Sequence, residues 1–250
     1  MNKPILNIAL IGEGKNDVGI MGEKSWQDGT VQAYVDRFLG DDFELKFEVL
    51  RVSKKDIKQL KIGNKGRYRK QKIRGIAKKI LRFVQLYPKR KFDLLILFSD
   101  VDKTQGKEAS ENEAKAKYAS ILADLENGKQ FLFEKKPEIK FVPMIPVRIL
   151  ECWLLGDKDG FENIACSPQN PKLPNQPEQT WGEKNNPESD YPKHYLKRIL
   201  ENNDFPNNTE TYRNIVFNNN FQNLNQNCSI SFPLFYNKMM EVKEIFQENN

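Results

Sequence analysis

The chain has 250 residues, 38% of them hydrophobic, and a formal net charge of +6. A mean hydropathy of −0.70, with no apolar run near the roughly 18–20 residues needed to cross a bilayer, gives no expected membrane-spanning helix and predicts no membrane partner. One early lysine followed directly by a strand pattern lacks the order of a secretory leader, so a cytoplasmic protein is expected, built as one large domain or a domain plus an extension.

The first strand is predicted over Ile5–Ile11 and stops abruptly at Gly12-Glu13-Gly14-Lys15-Asn16-Asp17. Glycines on both sides of Glu13 let the backbone turn sharply and a ligand approach closely. Gly12-x-Gly14 begins a dinucleotide fingerprint, but Asp17 occupies its third glycine position. Gly14-Lys15 looks like the end of a phosphate-binding loop, but Ala9 stands where its first glycine belongs and Asn16 where Ser or Thr would hold Mg²⁺. A helix near Val31–Phe38 and a second strand near Phe43–Val52 follow. A basic run then includes Lys65, Arg67, Arg69, Lys70, Lys72 and Arg74, with only Asp56 opposing it between Arg51 and Arg82. Such a run attracts phosphate backbones through counterion release. A solvated helix face or a mobile basic loop would carry the same charges. Its helical part, expected over about Lys70–Leu86 and ended by Pro88, has core spacing at Ile76, Ile80, Phe83 and Val84.

The third strand, Phe92–Phe98, is the most informative. Leu94-Leu95-Ile96-Leu97-Phe98 reads as a strand buried on both faces, as in a parallel sheet. It runs into Ser99-Asp100-Val101-Asp102-Lys103. Ligands of parallel α/β sheets sit beyond the carboxyl ends of strands, and alternate residues of an extended segment point the same way. Asp100 and Asp102 can therefore converge, as hard oxygen ligands suited to Mg²⁺ or Mn²⁺. A solvated Asp-rich turn or a helix N-cap is the competing reading. A helix near Ser110–Leu125 and a fourth strand near Ile139–Ile145 complete a β-α-β-α-β-α-β order. Pro146 then suits the first turn of a helix carrying Glu151 among Cys152, Trp153, Leu154 and Leu155. A carboxylate in so apolar a helix needs a partner, a metal or solvent; Arg148, at helical spacing, is one candidate partner.

Residues 1–156 thus form an α/β core, and 157–250 are expected as a loop-rich, helical appendage packing on it. Ser167–Pro192 reads as an extended arm, in which the isolated Trp181 is expected to dock on the core rather than stack on a base, and Asn202–Asn227 is Asn-rich, a compositional bias as much as a functional signal. A short helix is expected at His194–Leu200 and a final helix at about Phe232–Phe246. Cys152, Cys166 and Cys228 show no pair spacing, which argues against a disulfide framework and a structural zinc site. A cysteine nucleophile would have only His194, the single histidine, as its base.

A glutamate after the first strand within Gly-Glu-Gly, and Asp-x-Asp after the third, resemble the Toprim domain of topoisomerases, primases and OLD-type nucleases. More closely, Glu13-Gly14-Lys15-Asn16-Asp17 resembles a Glu-Gly-x-Thr-Glu motif, with Asn16 in place of Thr and Asp17 in place of Glu. Glu151-Cys152-Trp153-Leu154-Leu155 resembles Glu-x-Trp-Leu-Leu. Asn186-Pro187-Glu188 with Pro192-Lys193 and Leu196, and Ser231-Phe232-Pro233-Leu234-Phe235, resemble two later segments of a Toprim-like bacterial family, the domain of unknown function 4276. The resemblance implies a Toprim-like, Rossmann-like parallel sheet flanked by helices. It also implies a metal-dependent phosphodiester chemistry, and a role in phage defence beside an ATPase. On that reading Glu13, Asp100, Asp102 and Glu151 are catalytic, and Glu13, Asp17, Asp100 and Asp102 hold Mg²⁺ or Mn²⁺. The basic run, with Lys15 and Lys103, holds nucleic acid, DNA ahead of RNA. The chain has no convincing ATP-binding motif, so an ATP-driven step would need an ATPase partner protein. The alternatives are a non-catalytic sensor or adaptor for such an ATPase, or a metal-dependent phosphatase using the same acids.

Overall fold

The computed structural model describes residues 3–21, 26–52, 75–101 and 111–248. Strand β1 (Ile5–Gly12) is followed by a short antiparallel pair, β2 (Ile20–Met21) and β3 (Trp26–Gln27), and then by β4 (Glu44–Arg51), β5 (Leu94–Phe98) and β6 (Lys140–Met144). β1, β4, β5 and β6 form one parallel sheet in the order β4-β1-β5-β6.

The period of two along a strand assigns each side chain to a face. Leu6, Ile8 and Leu10 of β1, Leu94, Ile96 and Phe98 of β5, and Val142 and Met144 of β6 feed one apolar cluster. Ala9, Ile11, Leu95, Leu97 and Phe141 feed another. The sheet is therefore covered on both faces, which is why β5 is apolar at every position rather than alternating.

The helices among the described residues are α1 (Lys15–Val18), α2 (Thr30–Leu39), α3 (Ala77–Leu86), α4 (Glu111–Lys135), α5 (Glu151–Leu154), α6 (Asp159–Glu162), α7 (Pro192–Glu201), α8 (Thr209–Asn218), α9 (Phe221–Asn227) and α10 (Phe232–Glu248). α3 and α4 cover the second cluster. The first is covered by α2 together with residues beyond 156, among them Phe161, Leu196, Ile215, Phe232 and Phe235. Trp153, Phe232 and Phe235 are fully buried and meet Tyr34 of α2 edge-on or tilted, with centroids 5.6–6.3 Å apart. Each large side chain buried in this way stabilises the fold by about 1.5–3 kcal/mol. None of the helices among the described residues is long and apolar enough to cross a membrane.

One buried carboxylate fastens the C-terminal helix. Glu178, 2% exposed, accepts from the backbone N–H groups of Ile230 (2.7 Å) and Ser231 (3.0 Å) and from the Ser231 hydroxyl. Trp153 Nε1 donates to the same Ser231 Oγ at 3.0 Å. A carboxylate at the amino end of α10 satisfies donors that have no partner within the helix.

Several expected boundaries differ. The helix expected from Lys70 begins at Ala77, after Gly75 in the left-handed region (φ 49); residues 70–74 lie outside the described residues. α4 runs on to Lys135 instead of ending near Leu125. Within it, a Cβ on Gly128 would come within 2.9 Å of Ala77 and Ile80, so the glycine permits a close crossing of α3. Pro146 does not open a helix. Arg148 adopts φ 69, which breaks the run and delays the helix to Glu151. Such a conformation costs a non-glycine residue on the order of 1–3 kcal/mol. The Asn-rich stretch holds two helices, α8 and α9, each capped by an asparagine. Asn208 Oδ1 accepts from Thr211 N at 3.0 Å, and Asn220 Oδ1 from Gln222 N at 2.9 Å.

Candidate functional site

The strand order fixes where a ligand would sit. The chain leaves β1 for β4 on one side, then recrosses to β5 on the other, so the crevice between the carboxyl ends of β1 and β5 is the topological switch point. Register pairs Ile11 with Leu97, so Glu13 leaves β1 beside the Ser99-Asp100 exit from β5. The β5 exit is also tied to β6: Ser99 N donates to Met144 O and Val101 N to Pro146 O, both at 3.1 Å. Glu13 and Asp100 therefore stand at one edge of one parallel sheet, on neighbouring central strands.

Lys79 of α3 connects these two exits. It is 2% exposed. Its ammonium lies 3.1 Å from Glu13 Oε1 and 3.4 Å from Ser99 Oγ. Burying an ammonium is costly unless it is paired and hydrogen-bonded, and Glu13 and Ser99 supply those contacts. The result is a Glu13–Lys79–Ser99 bridge across the switch point, with one face of Glu13 still open to water.

A second group lies one turn further along the chain. Gly14 holds φ 83, and a Cβ there would run into the Asp17 carboxylate, which folds back over the turn. Burial raises the Asp17 pKa from its ordinary 3.8 to about 7; the Glu151 carboxylate pushes the same way, and Lys193 opposes it. Tyr212 of α8 belongs to this group. Its hydroxyl is held protonated by burial first, then by Glu151 and Asp17. Asp17 and Glu151, from opposite ends of the core sequence, are thus brought within electrostatic reach. Glu151 is itself 9% exposed and opens α5.

Asp102, Lys103, Lys65, Arg67, Arg69, Lys70, Lys72 and Arg74 lie outside the described residues, as does the side chain of Lys15 at the start of α1. Among the described residues no group of three or more His, Cys, Asp or Glu side chains could hold a metal. The chemistry of the described donors still fits a hard cation. Asp100 is partly buried with Oδ1 inside the fold, and Glu13 leaves the neighbouring strand beside Ser99. Mg²⁺ characteristically takes only one or two protein carboxylates together with water and substrate phosphate.

Lys79, Ser99, Tyr212 and Lys193 were not singled out as site residues from the sequence. Lys79 had a detectable signal. It stands three residues after Ile76 and four before Phe83, on the apolar stripe of its helix, where a charge needs a reason. Arg51, at the end of β4, donates to Gly19 O and lies 5.9 Å from the Trp26 ring, which anchors the β2–β3 pair to the same edge.

No curated protein and no solved structure matches the chain. A family match does cover residues 28–240, from just before α2 into α10, and it leaves the Glu13 turn before its first residue. The chain belongs to the family described as Domain of unknown function (DUF4276).

Proposed function

We propose that this protein is a Toprim-like, divalent-metal-dependent nuclease that acts in the cytoplasm on nucleic-acid phosphodiesters, DNA ahead of RNA, in phage defence with a partner ATPase. The observation that supports the reading is that the Glu13 and Asp100 segments leave the carboxyl ends of neighbouring strands at the switch point of a parallel sheet. Asp100 and Asp102 would hold Mg²⁺ or Mn²⁺. Glu13 would accept the proton of the attacking water or join the ligand set, and Asp17 and Glu151 would support the cluster. The bound cation supplies charge stabilisation at the phosphate and a more acidic water, so no histidine is required. Lys79 fixes where Glu13 points. Lys15, Lys103 and the basic run would hold the phosphate backbone, whose charge carboxylates alone would repel.

The Glu13–Lys79 pair also favours a second reading, a non-catalytic sensor or adaptor for an ATPase, in which the lysine neutralises the glutamate permanently. One experiment separates the two. Purified protein is incubated with plasmid, single-stranded DNA and RNA, with Mg²⁺, Mn²⁺ or a chelator, and with or without the ATPase. Metal-dependent cleavage is expected for the wild type, and its loss in Asp100→Asn and Glu13→Gln proteins whose circular dichroism is unchanged. Cleavage that persists in both variants refutes the site. Wild-type protein that cleaves nothing under any condition supports the adaptor.

A further inference from the structure

A cavity of about 400 Å³ is lined by Arg148, Trp181, Lys184 and Tyr191, with Gly182, Glu183, Thr180 and Asn185 along the same loop. That volume lies within the roughly 300–1,000 Å³ of small-molecule sites. Its floor is constructed rather than incidental. Arg148 is 6% exposed and sits at φ 69, a conformation that arginine rarely adopts and that clusters at ligand sites. Tyr191 is 8% exposed, and its ring is packed 5.4 Å from that of His194. His194 Nε2 is in turn hydrogen-bonded to Lys184 O at 2.9 Å, so the rim is braced against the floor.

Two short stretches of chain link the cavity to the switch-point site. Pro146, two residues before Arg148, is bonded to Val101, the neighbour of Asp100. Tyr191 stands two residues before Lys193, whose charge acts on Asp17. The lining combines a partly exposed indole with a guanidinium and an ammonium, against the single carboxylate of Glu183 on the exposed rim. An aromatic face accepts any nucleobase by stacking, and the two cations suit a phosphate.

We propose that this cavity is a nucleotide subsite, in which Trp181 stacks an unpaired base and Arg148 and Lys184 take the adjoining phosphate. It rests on the nuclease reading only in naming why the site exists. It makes the substrate a single strand or a frayed end, since a base inside a duplex cannot reach an indole in a cavity. The test measures binding apart from cleavage. Adenosine monophosphate, adenosine and inorganic phosphate are titrated by calorimetry in the presence of chelator. The monophosphate is expected to bind at least ten-fold more tightly than either part. Trp181→Ala should weaken it about ten-fold or more while leaving the melting temperature unchanged. Trp181→Phe, which keeps a stacking face, should restore most of the affinity. Equal binding by wild type and Trp181→Ala, or no binding of the monophosphate, overturns the subsite even if the protein cleaves DNA. Trp181-dependent binding by a protein that cleaves nothing supports the subsite and removes the nuclease reading instead.

Discussion

Glu178 and Asp17 are both carboxylates withdrawn from water, and their surroundings differ. Glu178 meets two backbone N–H groups and a hydroxyl at the start of α10, and these bonds oppose the upward push of burial on its pKa. Asp17 meets another carboxylate, Glu151, which adds to that push instead of opposing it. The first arrangement is what a fold builds to hold a turn. The second costs the fold stability, and carboxyls gathered against their own repulsion are a recurrent mark of sites that take up a cation or a proton.

The contrast can be broken at either end. Glu178→Ala leaves the donors of Ile230 and Ser231 buried without their acceptor. Stability should fall by on the order of 3 kcal/mol, read by urea denaturation. A loss below about 1 kcal/mol would mean that water or a shifted Ser231 replaces the carboxylate as readily as at a surface.

Asp17→Asn should do the opposite, and in a pH-dependent way. The folded protein holds the Asp17 proton up to about pH 7, whereas the ordinary value is 3.8. The favourable contribution of that retained proton is complete below pH 3.8 and is lost as pH rises through 7. The asparagine carries no such loss. The variant should therefore be more stable than wild type at pH 8, by up to about 4 kcal/mol, and close to it near pH 4. An equal difference at both pH values would show that packing, and not charge, sets the effect.

The smallest expected change sharpens the comparison with a cap that bears no net charge. Asn220→Ala removes the acceptor for the first turn of α9 and should cost about 1 kcal/mol, with no dependence on pH between 4 and 8. A pH-dependent loss would implicate the neighbouring Asp157, which accepts from Asn220 N at 2.6 Å.

Much of the core was legible because its signals are local. The unbroken apolar run Leu94–Phe98 announced a strand buried on both faces, and the abrupt polar stops after Gly12 and Phe98 marked the edge where Glu13 and Asp100 emerge. What escaped depends on distant partners. A helix continuing through Gly128 makes sense only when α3 lies against it. The asparagines of 202–227 looked like compositional bias because a cap is recognisable only once the helix after it is known. Lys79 shows in the sequence only as a charge on an apolar stripe; nothing in its own segment says that Glu13, far earlier in the chain, is its partner. The turn at Arg148 could not be read from the sequence, because Pro146 suits the first turn of a helix and nothing local marks an arginine for φ 69.

The sharing of one apolar face between the first strand and the last helix also has a consequence in time. Ile8 and Leu10 are made more than 200 residues before Phe232, Phe235 and Met239, which belong to the same cluster. Loop closure over so long a separation is slow and cannot begin until α10 exists. Synthesis proceeds at about 5–20 residues per second, so the face of β5 and β6 waits on the order of ten seconds after β6 emerges before its cover arrives. During that interval the nascent chain presents a sheet finished on the α3–α4 side and covered on the other by α2 alone, a form that a ribosome-bound chaperone would be expected to hold.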